Sequence, residues 1–132
     1  MPEEYQPRKR SWLEKFRETF RGAWLGVRGQ SSFYIHFAAA IVVIIAAFFL
    51  AVTQVEWYIL ILCITAVITA EMFNSALEEM AKAVDKNRNQ HLANALDISS
   101  AAVLVASIGA SLIGATIFLN RLGIRLELWA ES

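Results

Sequence analysis

Three apolar stretches separated by short polar links set what this chain of 132 residues can become. Residues 33–52 and 98–119 are each long enough to cross a hydrocarbon core, which takes about 20 residues at a rise of about 1.5 Å. The middle stretch, residues 57–70, is shorter. It reaches spanning length only by running on through Glu71, Asn74 and Ser75. Polar residues inside a bilayer-length helix are rare, and this is the most informative feature of the sequence. Charge is segregated in keeping with such a chain. Seven of its twelve basic residues lie between Arg8 and Arg28, although the net charge is zero.

The expected class is an all-α membrane protein: an N-terminal amphipathic surface helix, then three transmembrane helices. Residues 1–10 carry two prolines and dense charge and are read as a mobile tail, with no apolar leader close behind Met1. Ser11 and Glu14 have the spacing of a capping box. Trp12, Phe16, Phe20, Ala23, Trp24 and Val27 then form one helical stripe, with Lys15, Arg17, Glu18 and Arg21 elsewhere. Such a helix over residues 11–29 suits a membrane surface or packing on other protein, and Gly29-Gln30-Ser31-Ser32 is expected to end it. Residues 30–122 would form the membrane domain and residues 123–132 a tail.

The link at residues 53–56 has no basic residue, whereas the link before the third span holds Lys82, Lys86 and Arg88. Basic residues stay on the cytoplasmic side. The N-terminus is therefore expected in the cytoplasm and the C-terminus outside, where Trp129 could anchor at the interface. Ala102, Ala106, Ala110 and Gly114 recur every fourth residue, a spacing that lets helices approach closely. The single cysteine, Cys63, excludes an internal disulfide and reads as a small hydrophobe. His36 and His91 read as interfacial histidines. No nucleic-acid partner is expected.

Glu71, Asn74, Ser75, Glu78, Lys82 and Asp85 fall within an arc of about 100° when placed at about 100° per residue. Six polar residues on one face form a site or a lined crevice. Glu71 follows fourteen apolar or weakly polar residues and should lie below the cytoplasmic interface. A carboxylate there costs about 2.5–3.5 kcal/mol at the bilayer centre, so it normally faces protein, water or a ligand. It suits a general base accepting a proton from a lipid hydroxyl. Glu78 should sit at the boundary, within reach of a metal-bound phosphate, and Glu79 should point away to solvent.

Glu71-Met-Phe-Asn74-Ser75-Ala76-Leu77-Glu78, followed by Asp97-Ile-Ser-Ser-Ala-Ala-Val-Leu104, resembles the bacterial membrane kinases that phosphorylate diacylglycerol or undecaprenol. The likeness runs from about Phe16 to Leu119. Phe33-Tyr-Ile-His36 is similar to the opening of helix one in the undecaprenol-type members. The resemblance implies a homotrimer with composite sites between subunits, with ATP entering from the cytoplasm and the lipid from the bilayer. It implies Glu71 as base, Asn74 positioning the reactants and Ser75 facing the lipid. Glu78 and Gln30 would hold Mg2+, and Arg28, Lys82 and Asp97 would belong to the nucleotide site.

The chain departs from the family pattern on the nucleotide side. Gln30 stands where a metal-sharing Glu is usual, Lys82 where an Asp is usual, Leu96 where a Lys is usual, and Tyr34 where an Arg is common. Lys82 is expected to replace the missing cation and to pair with Asp97 at the start of helix three when the site is empty. Two readings stay open at this level. One is ATP-dependent phosphorylation of a membrane lipid hydroxyl. The other is a non-catalytic member acting as a lipid-binding or scaffolding membrane subunit. The charge asymmetry makes a direct prediction. Single cysteines placed in the N-terminal tail and the second link resist an impermeant thiol reagent in intact cells, and one placed near Glu131 is labelled; labelling of the tail reverses the orientation.

Overall fold

The structure, a computed structural model, describes residues 9–28, 31–84 and 89–128. Gln30, Asp85, Lys86, Arg88, Trp129 and the first eight residues of the tail lie outside them. Four helices follow one another: α1 (Trp12–Val27), α2 (Ser31–Phe49), α3 (Gln54–Val84) and α4 (Gln90–Arg125). Among the described residues there is no strand. The last three helices are each long and apolar enough to cross a membrane, so the helical membrane class expected from the sequence is what the chain forms.

Helices α1, α3 and α4 start where a side chain supplies a cap. The Ser11 hydroxyl accepts from Glu14 N at 3.3 Å while Glu14 Oε2 accepts from Ser11 N at 2.8 Å, which completes the expected capping box. The aromatic stripe of α1 is exposed at Trp12, Phe16, Phe20 and Trp24. The helix touches α3, where a Cβ at Gly26 would stand 3.9 Å from Met72 Cε.

Several boundaries differ from the sequence expectation, and α3 too starts earlier, at Gln54 instead of near Trp57. Ser31 and Ser32 open α2 rather than ending α1. Helix α4 starts at Gln90, not near Ile98, because the Asn89 side chain accepts from the backbone N–H groups of His91 and Leu92 at 3.0 and 3.3 Å. Asp97 therefore sits about two turns inside α4 instead of at its start. At the far end α4 runs on to Arg125, which takes Gly123–Arg125 out of the expected tail.

The densest packing lies at the end where α2 turns into α3. Ala47, Val52, Leu60 and Ile117 are buried there, against Val43, Leu50, Trp57 and Phe118. The Phe48 and Trp57 rings meet edge to face with centroids 4.8 Å apart. The turn closes with Val52 N–H on Ala47 O and Ala51 N–H on Phe48 O, both at 3.3 Å, with Ala51 in the left-handed region at φ 50°.

Polar side chains latch the same end. Glu56 caps α3, accepting from Thr53 N at 2.7 Å, and its Oε2 also accepts from Arg121 Nε of α4 at 2.7 Å. Arg125 donates to the carbonyl of Phe49 at the end of α2. Large side chains such as Phe37, Phe48, Leu62, Val105 and Leu112 are exposed along the outer faces, as lipid-facing positions require.

The latch is testable. The Glu56 and Arg121 side chains are only 15% and 11% exposed, and removing one partner of a well-buried pair costs about 3–5 kcal/mol. Near the membrane rim the expected cost of Glu56→Ala is about 1–3 kcal/mol, read as a lowered melting temperature in detergent. Lys82→Ala, in an exposed pair, leaves the melting temperature unchanged.

Candidate active site

The polar face of α3 divides by depth. Glu71, Asn74 and Ser75 are 1%, 6% and 2% exposed, Glu78 is half-buried, and Lys82 is exposed. Glu71 lies about 25 Å along α3 from its first residue, near the far side of a hydrocarbon core of about 30 Å. Its carboxylate is held by α2. Ser32 Oγ donates to Oε1, and His36 Nε2 stands 3.7 Å from Oε2. Ser32 and His36 are four residues apart and so share one face of α2. The two oxygens of Glu71 thus have different neighbours, a hydroxyl donor and an imidazole.

Asn74, one turn towards the helix end, ties α3 to α4. Its Oδ1 accepts from Ser99 Oγ at 2.6 Å and from Ser100 Oγ at 3.3 Å, while its Nδ2 donates to Glu78 Oε1 at 2.9 Å. The amide has one sensible orientation, since an ionised Glu78 only accepts. Ser99 has a single hydroxyl proton and shares it between Asn74 and the Leu96 carbonyl at 2.8 Å. Ser75 is different. Its hydroxyl is buried and has no hydrogen-bond partner among the described residues. A buried hydroxyl left unpaired costs about 1–3 kcal/mol, so this one, like the Ser107 hydroxyl in the cleft wall, is open to a group from outside the described residues.

The nucleotide-side residues are not gathered in the same way. Lys82 Nζ lies 2.5 Å from Glu79 Oε1 on its own helix, with the side chains 66% and 68% exposed. It does not pair with Asp97 as expected, because Asp97 sits within α4 and its side chain is exposed. Arg28 is exposed at the C-terminal cap of α1, its N–H on Trp24 O at 3.0 Å. Gln30 lies outside the described residues. Glu78 offers hard carboxylate oxygen, the donor chemistry that Mg2+ takes together with water and phosphate. No cluster of three or more His, Cys, Asp or Glu among the described residues is placed to hold a metal alone.

Four participants escaped the sequence reading. The sequence pattern puts Ser32 in a linker and His36 at the interface. Ser99 and Ser100 stood inside the recognised Asp97 motif without a role. The signal for Ser32 and His36 was their four-residue spacing on one face; for Ser99 and Ser100 nothing local distinguished them from packing residues.

A cleft of about 320 Å³ opens between α2, α3 and α4, running from His36 and Ile68 past Cys63 and Ala110 to Gly114 and Phe118. Its walls are mostly apolar and small. Of the expected small-residue ridge, Gly114 is buried and Ala106 and Ala110 are half-buried, while Ala102 is exposed.

Comparison with known proteins shows the family. The family model described as prokaryotic diacylglycerol kinase matches residues 17–118. Undecaprenol kinase of Bacillus subtilis (strain 168) is 31% identical over 117 residues, which cover 86% of this chain and 95% of that protein. No solved structure matches the chain significantly. The match spans α2, α3, most of α4 and the polar face between them, and the chain belongs to the prokaryotic diacylglycerol kinase family.

Proposed function

We propose that this protein is an ATP-dependent lipid kinase that phosphorylates the hydroxyl of a membrane lipid at the cytoplasmic interface. Undecaprenol is the favoured substrate and diacylglycerol the second choice. One observation carries the reading: a carboxylate buried to 1% exposure at membrane depth, with an unpaired buried hydroxyl, Ser75, one turn away on the same helix face. A purely structural glutamate has no need of an orphan hydroxyl beside it. A lipid alcohol, which both donates and accepts, satisfies both groups at once. The relative's name favours undecaprenol.

In this mechanism Glu71 takes the proton of the lipid hydroxyl while Ser75 helps hold that oxygen. The oxygen then attacks the terminal phosphorus of ATP and the nucleoside diphosphate leaves. Asn74, fixed by Ser99 and Glu78, keeps the lipid side and the phosphate side in register. Glu78 and Gln30 would hold Mg2+, whose charge neutralises phosphate when it is bound. With one carboxylate instead of two, metal affinity is expected to be weak. Lys82 and Arg28 act as cations at the cytoplasmic mouth, and Asp97 completes the nucleotide side. Lys82 has to leave Glu79 to reach a phosphate, which a long flexible ammonium can do.

The protein works as a homotrimer in the bacterial inner membrane, N-terminus inside and C-terminus outside. The exposed faces of α3 and α4 and the small residues on α4 support an assembly. The test is phosphate transfer from labelled ATP to undecaprenol and to diacylglycerol in lipid discs, with Glu71→Gln beside the parent. The parent labels lipid, and the variant, similar in shape but without a proton acceptor, loses on the order of 10²-fold or more in turnover. A parent that labels no lipid at any magnesium concentration favours a non-catalytic membrane subunit.

A further inference from the structure

We propose that His36 is a positioning residue for Glu71 and receives its proton between turnovers. This rests on the reading of Glu71 as the base. Each turnover breaks the lipid O–H bond and leaves Glu71 as a neutral acid, and the acid must lose that proton before the next lipid can react. Glu71 is 1% exposed, so bulk water does not reach it directly. Ser32 cannot help, since its hydroxyl already donates to Oε1 and is not a base at neutral pH.

His36 has the geometry that is needed. Its Nε2 stands 3.7 Å from Oε2, and its side chain is 22% exposed where it lines the cleft, so it lies between the enclosed acid and open space. That separation is longer than a hydrogen bond, and a movement of about 1 Å or one bridging water closes it. In the tautomer that carries its proton on Nδ1, an imidazole presents a lone pair at Nε2. The proton passes from Oε2 to Nε2, Glu71 returns to carboxylate, and the imidazolium releases the proton to water. No electron moves and no further reactant is consumed. Between turnovers the ring also keeps Oε2 in place while Ser32 keeps Oε1.

The surroundings contain little that competes. Glu71 is the ionisable group facing His36 from α3. The cleft at His36 has one other ionisable side chain along its walls, Cys63, and α4 contributes only the hydroxyls of Ser107 and Ser111. The cleft of about 320 Å³ also makes the test practicable, because a ring removed from position 36 leaves a space that a small molecule can enter.

The experiment compares the parent, His36→Ala, His36→Gln and Glu71→Gln in lipid discs, with labelled ATP and undecaprenol, with and without free imidazole. Both His36 variants are expected to lose on the order of 10²-fold in kcat, with KM for lipid and for ATP within about twofold. Added imidazole restores roughly tenfold of the loss in His36→Ala and nothing in His36→Gln, whose side chain fills the space. His36→Gln keeps shape and polarity, and so carries the kcat–KM comparison if the alanine variant does not fold. The proposal is overturned if His36→Gln keeps kcat within about threefold, if the loss falls on KM, or if folded His36→Ala gains nothing from imidazole. Full turnover by Glu71→Gln instead overturns the base reading on which it rests, whereas an inactive Glu71→Gln beside fully active His36 variants overturns the relay alone.

Discussion

A carboxylate that has to live inside the membrane organises this molecule. An acidic side chain at the bilayer centre costs about 2.5–3.5 kcal/mol unless protein shelters it, and Glu71 is sheltered almost completely. The shelter comes from the first turns of α2, where Ser32 and His36 face the two oxygens. That requirement explains why α2 starts at Ser31 rather than at the first apolar residue. The same logic holds one turn further along α3. Asn74 is buried, so α4 must begin early enough to bring Ser99 and Ser100 alongside it, and the Asn89 cap starts α4 nine residues before Ser99.

The opposite end of the bundle keeps these contacts in register. Glu56 caps α3 and grips Arg121, while Arg125 holds the Phe49 carbonyl at the end of α2. Rotating α4 by one residue would swing it by about 100°, moving the serines off Asn74 and the arginine off Glu56 together. Between the two polar ends the packing is loose and rich in small side chains, and it leaves the cleft. The molecule is therefore specified by two polar clusters about a membrane apart more than by a large core. That is economical where lipid tails are as apolar as the side chains and burial gives little drive to association.

Much of this was legible in the residues. Length and hydropathy gave the three spans, and the Ser11–Glu14 spacing gave α1 its start. The deep part of the stripe on α3, Glu71, Asn74 and Ser75, turns inward, while Lys82 of the same stripe is exposed. Local pattern failed where a residue's role is set by a distant helix. Ser32 is 39 positions from Glu71, and Ser99 is 25 from Asn74. The expected Lys82–Asp97 pair failed for a related reason: Glu79 is three residues away on the same helix and always within reach, whereas Asp97 is not. Glu79 had been expected to face solvent, and it does, with Lys82 beside it.

On the proposed function, the sheltered face around Glu71 is where a lipid hydroxyl lies. A lipid alcohol carrying a photoreactive diazirine a few bonds from its hydroxyl tests this most directly, by mapping the residues it labels in lipid discs. Labels are expected to concentrate on Ser32, His36 and the segment from Glu71 to Ser75, and to be lost when unlabelled undecaprenol competes. Labels confined to outward-facing positions such as Phe48, Leu62 and Leu112, unaffected by competitor, would contradict it.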